Sequence, residues 1–252
     1  MPETEFHQII WGPSLSGLEQ AVECNRVGQK TLLAGKFGFP GGQAAESLAS
    51  LYPADYFQRS AFLGTMFTKI SRLKFGVLYR DQEVLLIHPE AIKRVCWELI
   101  NEQNIEVLFH VNPVSVNLND NGNGRYEISF FGREGNISLH TEKLYNFATT
   151  ADHCFTTFDE PVTDLFINTF FADSLPRHIP EFEVVSRIET DIGEYLSIKI
   201  PDVATSNIEQ KFNTELDRFT MHCWNVYQCR VRMVPVYPAV TLKRKEFINP
   251  NS

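Results

Sequence analysis

Residues 6–42 of this chain read FHQIIWGPSLSGLEQAVECNRVGQKTLLAGKFGFPGG. They begin with a short apolar strand, His7–Trp11, and a glycine-containing turn, Gly12–Gly17, follows it. A helical pattern comes next, and its predicted buried face consists of Leu18, Ala21, Val22 and Val27. Gly28 ends that helix, and Thr31–Ala34 reads as a second buried strand. This order predicts a βαβ unit of the dinucleotide-binding type, in which backbone N–H groups at a helix N-terminus bind a pyrophosphate.

The turn carries a variant of the GxGxxG motif. Gly12 and Gly17 stand in the first and third glycine positions, and Ser14 stands in the second. The first glycine permits the tight turn, the second lets the backbone approach a phosphate, and the third lets helix and strand pack closely. The Cβ atom of a serine slightly reduces the space for the phosphate group, while the serine hydroxyl can donate a hydrogen bond to that phosphate. A plain βαβ turn is the alternative interpretation of such a motif.

The end of the second strand departs from the dinucleotide-binding pattern. An acidic residue is expected at this position, because its carboxylate binds ribose hydroxyls. This chain has Gly35 there, and Lys36 follows. Loss of a hydrogen bond to a charged group is expected to weaken nucleotide binding by about 1.5–3 kcal/mol.

Three further motifs extend the pattern along the chain. Phe39–Gly42 places a glycine pair soon after the second strand, His88–Lys93 reads HPEAIK, and Ala148-Thr149-Thr150 ends a later strand. In this order the motifs resemble those of the FAD-dependent oxidoreductases of the glutathione-reductase-like flavoprotein superfamily. Those proteins have a GxSxxG variant, a glycine pair, a PEAxK helix and a strand ending in A-T-G. The resemblance covers about residues 6–152.

The resemblance implies an α/β fold, with a Rossmann-like FAD/NAD(P)-binding parallel sheet, a β-meander at about residues 115–146 and a smaller α+β substrate-type lobe. The expected domains are residues 1–153 for FAD/NAD(P) binding and residues 154–252 for substrate or interaction. FAD is the implied cofactor. The implied cofactor-binding residues are Gly12, Ser14, Leu15, Gly17, Gly35, Lys36, Gly41, Gly42, Pro113, Ala148 and Thr149. Pro113 belongs to this set because the bend at residues 112–114 passes the adenine in these flavoproteins.

Periodicity predicts the other elements of the first domain. A hairpin is expected at Gly76–Tyr79 and Glu83–Ile87, and the clearest helix begins at Pro89 and ends near residue 104. Ile105–Val111 is the expected next parallel strand, and Ala44–Leu51 is an expected helix. Several aromatic residues either face a ring system or belong to the core, which is the simpler interpretation: Tyr56, Phe57, Phe62, Phe67 and Tyr79.

The second lobe is predicted to combine a sheet with one long helix. The expected strands are Leu165–Phe171, Phe182–Ile188 and Tyr195–Ile200, the last of them ended by Pro201. Ser206 is the expected N-cap of a helix that ends near Gln228. Residues 231–240 are apolar but contain two prolines, which predicts an edge strand or an extended segment.

Composition narrows the classes of function. The chain has 252 residues, 43% of them hydrophobic, and this is enough for one large core or for a main domain with a second one. A formal charge of -8, without a basic stripe, argues against a nucleic-acid or acidic-membrane partner. No apolar run is long enough to span a bilayer, and Met1–Glu5 is unlike a signal peptide. Five scattered cysteines without a CxxC motif indicate reduced thiols and a cytoplasmic location.

No side chain stands out as a catalytic acid, base or nucleophile, and no metal site is predicted. His222-Cys223 with Cys229 offers too few ligands for a metal, so buried thiols are the favoured interpretation. His153 and Cys154 are adjacent on a predicted strand and therefore point to opposite faces.

Two hypotheses about function remain open. In the resembling flavoproteins a G-D motif further along meets the flavin ribitol and pyrophosphate, and this sequence contains no such segment. A second chain that completes the flavin site, a shortened family member that has lost its cofactor, and a fragment are the three explanations. The first hypothesis is an FAD-dependent oxidoreductase of a small molecule, with hydride chemistry supplied by the flavin. The second is a non-catalytic subunit, without cofactor, that acts in binding or assembly.

Overall fold

The computed structural model describes residues 5–119, 125–148, 162–204 and 207–241. Its α-helices are α1 (Leu15–Arg26), α2 (Gln43–Glu46), α3 (Ala61–Ser71), α4 (Pro89–Glu102) and α5 (Ile208–Tyr227), with a 3₁₀ helix at Tyr56–Gln58. The strands of residues 5–148, the first segment, are β1 (Glu5–Trp11), β2 (Thr31–Gly35), β3 (Leu51–Pro53), β4 (Val77–Arg80), β5 (Val84–Ile87), β6 (Glu106–Phe109), β7 (Val111–Asn119), β8 (Arg125–Gly132) and β9 (Gly135–Asn146). Those of residues 162–241, the second segment, are β10 (Val162–Phe171), β11 (Glu183–Thr190), β12 (Gly193–Ala204), β13 (Val231–Met233) and β14 (Ala239–Thr241).

The central sheet has the order β6-β2-β1-β9-β8-β7. Pairing is parallel from β6 through β2 and β1 to β9, and antiparallel from β9 through β8 to β7. The predicted parallel sheet with a β-meander is therefore confirmed. The long strand β9 belongs to both parts, because its beginning pairs with β8 and its end pairs with β1.

Helix α1 forms where the sequence pattern places it. Ser14 is its N-cap, and the Ser14 hydroxyl oxygen accepts a hydrogen bond from the Gly17 N–H at 3.1 Å. Leu18, Ala21 and Val22 are buried in a core that the apolar face of α4 also enters. The βαβ unit and the helix at Pro89 are thus confirmed.

The region between β2 and α4 is less helical than predicted. The expected helix at residues 44–51 is wrong in length, because α2 ends at Glu46 after one turn. Leu48 has φ 51, which a right-handed helix does not permit, and Leu51–Pro53 pairs with β5 instead. The predicted hairpin is confirmed, since β4 and β5 pair antiparallel beside β3.

The bend before the β-meander lies earlier than predicted. His110 has φ 59 and turns the chain from β6 into β7, which begins at Val111. The expected bend at residues 112–114 therefore lies inside a strand, where Pro113 is buried opposite Phe130 and next to a register shift. A proline is tolerated at this position because β7 is the edge strand of the sheet and the bulge lies next to it.

The second segment forms a sheet of order β11-β12-β10-β13, and β14 also pairs with β10. Pro201 does not end its strand as predicted, because β12 continues to Ala204. The register with β10 shifts at this point, so that the proline occupies a bulge. Helix α5 buries Ile208, Phe212 and Phe219 against this sheet. The two-proline stretch forms the short strands β13 and β14, in agreement with the predicted edge.

The two segments contact each other through a buried apolar cluster and a hydrogen-bonded amide. Phe170 and Tyr195 pack with Leu48 and Leu86 of the first segment. Asn168 lies beside this cluster and donates to the Ser47 carbonyl at 2.9 Å, while its own oxygen accepts from the Tyr195 hydroxyl at 3.0 Å. Because buried polar groups need such partners, this amide fixes one relative position of the segments.

Several predictions fall outside the described residues. These are Thr149, Thr150, His153, Cys154, the Ser206 cap and the domain boundary between residues 153 and 154. Within the described part, Asn207 is the N-cap residue of α5. Cys24, Cys96, Cys223 and Cys229 are free, buried thiols.

Candidate functional site

The turn after β1 is packed against the end of β9. The Gly12 N–H donates to the Ala34 carbonyl at 3.0 Å, and the Phe147 N–H donates to the Trp11 carbonyl at 2.7 Å. Gly12 has φ +96, and a Cβ atom at this position would overlap the backbone of Phe147 and Ala148. Glycine is therefore required here both by conformation and by space. Ala148 itself donates its N–H to the Asn146 side chain at 2.9 Å.

Gly17 brings α1 close to the turn. A Cβ atom on Gly17 would overlap the Gly12 carbonyl oxygen, and it would lie 3.4 Å from the Ile10 side chain. This is the packing role that the third glycine of the dinucleotide motif has. The first and third positions of the predicted motif are thus built as the pattern requires.

The glycine pair Gly41-Gly42 lies directly on this turn. The Gly41 N–H donates to the Pro13 carbonyl at 2.7 Å. A Cβ atom on Gly42 would come within 2.8 Å of Ser14, so only glycine permits this approach. The structure therefore brings together Gly12, Ser14, Gly17, Gly41 and Gly42 at the carboxyl edge of the parallel strands, where α/β sheets bind their ligands.

The N-terminus of α1 offers hydrogen-bond donors to a ligand. The N–H groups of Leu15 and Ser16 have no acceptor among the residues that the structure describes, while the Gly17 N–H is bonded to Ser14. The first turn of α1 contains no acidic residue. These donors border an opening of about 270 Å³, which is lined by Ser14, Leu15, Ser16, Gly41, Gln43, Ala44, Ala49, Tyr52, Tyr56 and Phe147. Free donors at a helix N-terminus fit an anionic group such as a pyrophosphate.

The end of β2 is arranged differently. Gly35 lies against the Pro13 ring, with its would-be Cβ atom 2.8 Å from two ring carbons. The Lys36 ammonium lies 2.8 Å from the Glu209 carboxylate and 5.1 Å from the centre of the Tyr237 ring. The cavity between this end and the turn has a volume of only about 10 Å³. A carboxylate for ribose hydroxyls is thus missing from β2 itself.

The remaining predicted site residues lie apart or outside the description. Pro113 is buried within β7, and it does not line the openings described above. Ala148 lines the small cavity, and Thr149 lies outside the described residues. Among the aromatic candidates, Tyr56 lines the larger opening, while Phe57 and Phe62 are buried core residues. Tyr79 is exposed and donates to Asp81 at 2.9 Å.

Sequence reasoning missed Tyr52 and Glu209. Tyr52 was missed because a helix was predicted at residues 44–51, directly before it, and the strand β3 was not expected. Its ring stacks on Tyr56 with 4.6 Å between centroids. Glu209 carries no local signal, because its partner Lys36 belongs to the other segment.

The titratable groups near the opening are neutral at physiological pH. Burial raises the pKa of Tyr52 well above its ordinary value of 10, and burial also raises the pKa of Tyr56. Both hydroxyls are therefore hydrogen-bond donors rather than bases.

The buried thiols are not nucleophiles either. Burial raises the pKa of Cys96 and that of Cys223 to about 12, so both stay protonated. Within the described ranges, no group of three His, Cys, Asp or Glu side chains is placed to hold a metal.

The fold and the glycine-rich carboxyl edge of its parallel strands define the class of protein. It is an α/β protein of the flavoprotein type with a dinucleotide site. The family model for FAD dependent oxidoreductases matches residues 9–142, which is more than half of the chain. The chain belongs to this family of FAD-dependent oxidoreductases. No curated protein sequence matches the chain.

Solved structures with the same fold include monooxygenases and hydroxylases. p-Nitrophenol 4-monooxygenase PnpA from Pseudomonas putida superimposes with a TM-score of 0.60 at 13% identity, covering 94% of this chain and 68% of that chain. Aklavinone-11 hydroxylase, solved with FAD and aklavinone, gives 0.60 at 10% identity, covering 98% and 56%. OxyS anhydrotetracycline hydroxylase from Streptomyces rimosus gives 0.58 at 12% identity, covering 94% and 52%. The chain spans between about half and two thirds of the length of these proteins.

Family membership identifies FAD as the cofactor, and the N-terminus of α1 fits the pyrophosphate of that molecule. The hypothesis of a family member without cofactor is not favoured by these matches. None of the helices in the described part has both the length and the apolar character that a membrane crossing requires.

Proposed function

We propose that this chain holds FAD with the pyrophosphate at the N-terminus of α1 and takes part in flavin-mediated redox of a small molecule. The observation that carries the proposal is the pair of N–H donors of Leu15 and Ser16, which have no acceptor within the described ranges and lie beside an opening of about 270 Å³. When bound, the flavin supplies the hydride chemistry, which no side chain of this edge provides.

The residues of the turn have separate tasks in this proposal. Leu15 and Ser16 donate their N–H groups to phosphate oxygens, and Ser14 donates its hydroxyl hydrogen while its oxygen caps α1. Gly12 and Gly17 hold the turn against β9 and α1, which keeps the donors in place. The predicted contribution of Pro113 and Thr149 stays a prediction.

The neutral tyrosines next to these donors have an orienting role. Tyr56 is half-buried at the mouth of the opening, and its hydroxyl stays protonated because burial raises its pKa. A protonated phenol donates a hydrogen bond to a ligand but does not remove a proton from it. We therefore assign Tyr56 to binding and not to acid–base chemistry.

The substrate is proposed to be a small molecule, because the matched solved structures include p-nitrophenol 4-monooxygenase and aklavinone-11 hydroxylase. The division into residues 1–153 for FAD and residues 154–252 for substrate or interaction is part of the same proposal. The cytoplasmic location and a second chain that completes the flavin site also stay predictions.

Removal of one backbone donor tests the pyrophosphate position. Ser16→Pro deletes the Ser16 N–H, and proline is tolerated in the first turn of a helix. Because a hydrogen bond to a charged group is worth about 1.5–3 kcal/mol, we expect FAD to bind at least about tenfold more weakly. Calorimetric titration of the purified protein with FAD measures this change.

Ser16→Ala is the matched control, since it removes the exposed hydroxyl and keeps the N–H group. It should bind FAD like the unchanged protein. Equal FAD affinity of the proline and alanine variants would place the pyrophosphate elsewhere. A colourless preparation that does not take up added FAD would contradict the proposed function as a whole.

A further inference from the structure

Residues 234–238, which we call the arch, connect β13 to β14 in the second segment. Both strands pair with β10, and each has only three residues, so the arch is held to its own sheet by short pairings. Pro235 and Pro238 stiffen the arch because each fixes its own φ angle. The side chain of Val236 is exposed, whereas that of Tyr237 is buried. The arch therefore points one aromatic side chain into the protein.

The Tyr237 ring packs on the two residues that follow β2. Its centre lies 5.9 Å from the ring centre of Phe37, which also enters the core of the second segment. The Lys36 ammonium lies 5.1 Å from the same Tyr237 ring. A cation at this distance from the face of an aromatic ring is attracted to it. The arch thus holds the residues after β2 through ring packing and a cation–π contact.

Hydrogen bonds also join the arch to α2. The N–H groups of Val236 and Tyr237 donate to the Glu46 carbonyl at 2.9 and 3.1 Å. Just beyond the arch, the Val240 carbonyl accepts from the Gln43 side chain at 3.3 Å. Because α2 directly follows the glycine pair that lies on the turn, the arch is tied to both sides of the proposed FAD-binding edge.

The small cavity beside the turn is bordered by the residues that the arch contacts. Its lining includes Lys36, Phe37 and Glu46, together with Gly12 and Ser14 of the turn. The cavity volume of about 10 Å³ is close to the space that a single water molecule needs. In dinucleotide sites of this fold, the ligand extends from the glycine turn towards the end of the second strand. No part of a nucleotide fits into this cavity in the arrangement described.

We propose that the arch is a closing element of the FAD site and that the described structure is its closed form. For FAD to bind, the arch has to release the Glu46 carbonyl. The Tyr237 ring then leaves Phe37 and Lys36, so that the residues after β2 can move away from the turn. This inference rests on the proposed function. Such an opening is local, because the arch is anchored by two short strands and few hydrogen bonds have to break.

Hydrogen exchange of the arch amides tests the proposal on the unchanged full chain. In the free protein, the bonds to the Glu46 carbonyl protect the N–H groups of Val236 and Tyr237. With saturating FAD, a peptide that covers the arch should take up about two more deuterons, one for each of these N–H groups. Mass spectrometry measures the uptake. Peptides of β8 in the β-meander are the control and should exchange equally with and without FAD.

Tyr237→Leu tests the same element by weakening its closed form. Leucine keeps an apolar side chain in the core but removes the ring contacts with Phe37 and Lys36. Because a ligand binds only the open fraction of the protein, the variant should bind FAD about fivefold faster, with an unchanged dissociation rate. Stopped-flow flavin fluorescence gives both rates. Tyr227→Leu is the matched control, since Tyr227 packs against the same core from the end of α5, and it should leave both rates unchanged.

Retained protection of the arch amides in the FAD complex would overturn this inference and leave the proposed function intact. Equal FAD association rates of Tyr237→Leu and the unchanged protein would do the same. The exchange measurement needs no variant, so it decides the question even if Tyr237→Leu does not fold. Failure of the unchanged protein to take up any FAD would overturn the proposed function together with this inference.

Discussion

The two ends of the edge that we propose to bind FAD are built in different ways. The turn at residues 12–17 is made within the first segment, and its tightest contacts join glycines to backbone atoms. The end of β2 is held by side chains, with Lys36 paired to Glu209 of the second segment. The turn is packed against backbone atoms, so it requires glycine at fixed positions, and these glycines form a recognisable sequence motif. The end of β2 is held by a side chain far along the chain, so it has no such motif.

The largest expected effect lies at the backbone-packed end. In Gly17→Ala the new Cβ atom overlaps the Gly12 carbonyl oxygen, so α1 must move away from the turn. We expect loss of FAD uptake and a decrease of about 3 kcal/mol in the free energy of unfolding. Urea denaturation and the visible flavin spectrum measure the two effects.

Gly64→Ala is the control for this substitution, because Gly64 also lies in a helix, α3, and its Cβ atom would meet only the Phe57 carbonyl oxygen at 3.7 Å. Alanine should leave FAD uptake unchanged and stabilise the protein by about 0.5–1 kcal/mol. Similar behaviour of both alanine variants would mean that the turn tolerates more space than the structure shows.

The next effect separates capping from ligand binding at the same end. Ser14→Ala removes the N-cap of α1, and Ser60→Ala removes the equivalent cap of α3, where the Ser60 oxygen accepts from the Leu63 N–H at 3.1 Å. Each variant should lose about 1 kcal/mol of unfolding free energy. Only Ser14→Ala should also weaken FAD binding, by a few-fold. If both variants bind FAD equally well, Ser14 is a cap and nothing more.

A smaller change in stability is expected at the end of β2. Lys36→Met breaks an exposed ion pair, and such pairs contribute less than about 1 kcal/mol to folding. FAD binding should nevertheless weaken, because Lys36 lines the small cavity beside Gly12 and Ser14 and its positive charge favours an anionic ligand there. Lys69→Met, which breaks the comparable pair with Glu102 at 2.6 Å, serves as the control and should leave FAD binding unchanged. Thermal unfolding and FAD titration distinguish the two variants, and equal FAD affinities would contradict a role for Lys36.

The smallest effect concerns pH and lies away from both ends. His88 caps α4 with its Nδ1 atom, which accepts from the Glu90 N–H at 3.1 Å and must therefore be unprotonated. Burial lowers the pKa of His88 below its ordinary value of 6.5, against a raising effect of Glu90. The unfolded chain consequently binds this proton more readily. Stability from this group is present above about pH 6.5 and decreases as the pH falls through the folded-state pKa.

His88→Asn keeps a capping oxygen that does not titrate. The unfolding free energy of this variant should therefore fall less between about pH 7.5 and 5.5 than that of the unchanged protein. Denaturant titrations at both pH values make the comparison. Identical slopes would show that His88 does not contribute to the acid sensitivity of the fold.

The comparison of the two ends also explains how much of the structure could be predicted from the sequence. The β1-α1-β2 unit, α4 and the meander were predictable because their apolar periodicity and capping residues are local. The glycines of the turn were predictable for the same reason. The helices and strands depend on neighbours within a few residues, whereas the space at Gly12 is also limited by the distant backbone of Phe147 and Ala148.

The wrong predictions have physical causes of longer range. Residues 47–51 have helix-forming composition, but pairing of β3 with β5 and the left-handed Leu48 override it. Pro201 is tolerated inside a strand because the register with β10 shifts there. The ion pair of Glu209 with Lys36 had no local pattern at all, since it forms only by the approach of α5 to β2.

The position of Phe37 has a consequence for biosynthesis. This side chain is encoded near the start of the chain, yet it packs into a core formed by strands that leave the ribosome much later. During translation it is an apolar group without its final neighbours, and the second core closes only when residues of β10, β12 and α5 reach it. A nascent chain stalled after the β-meander would therefore expose the aromatic residue that later joins the two segments.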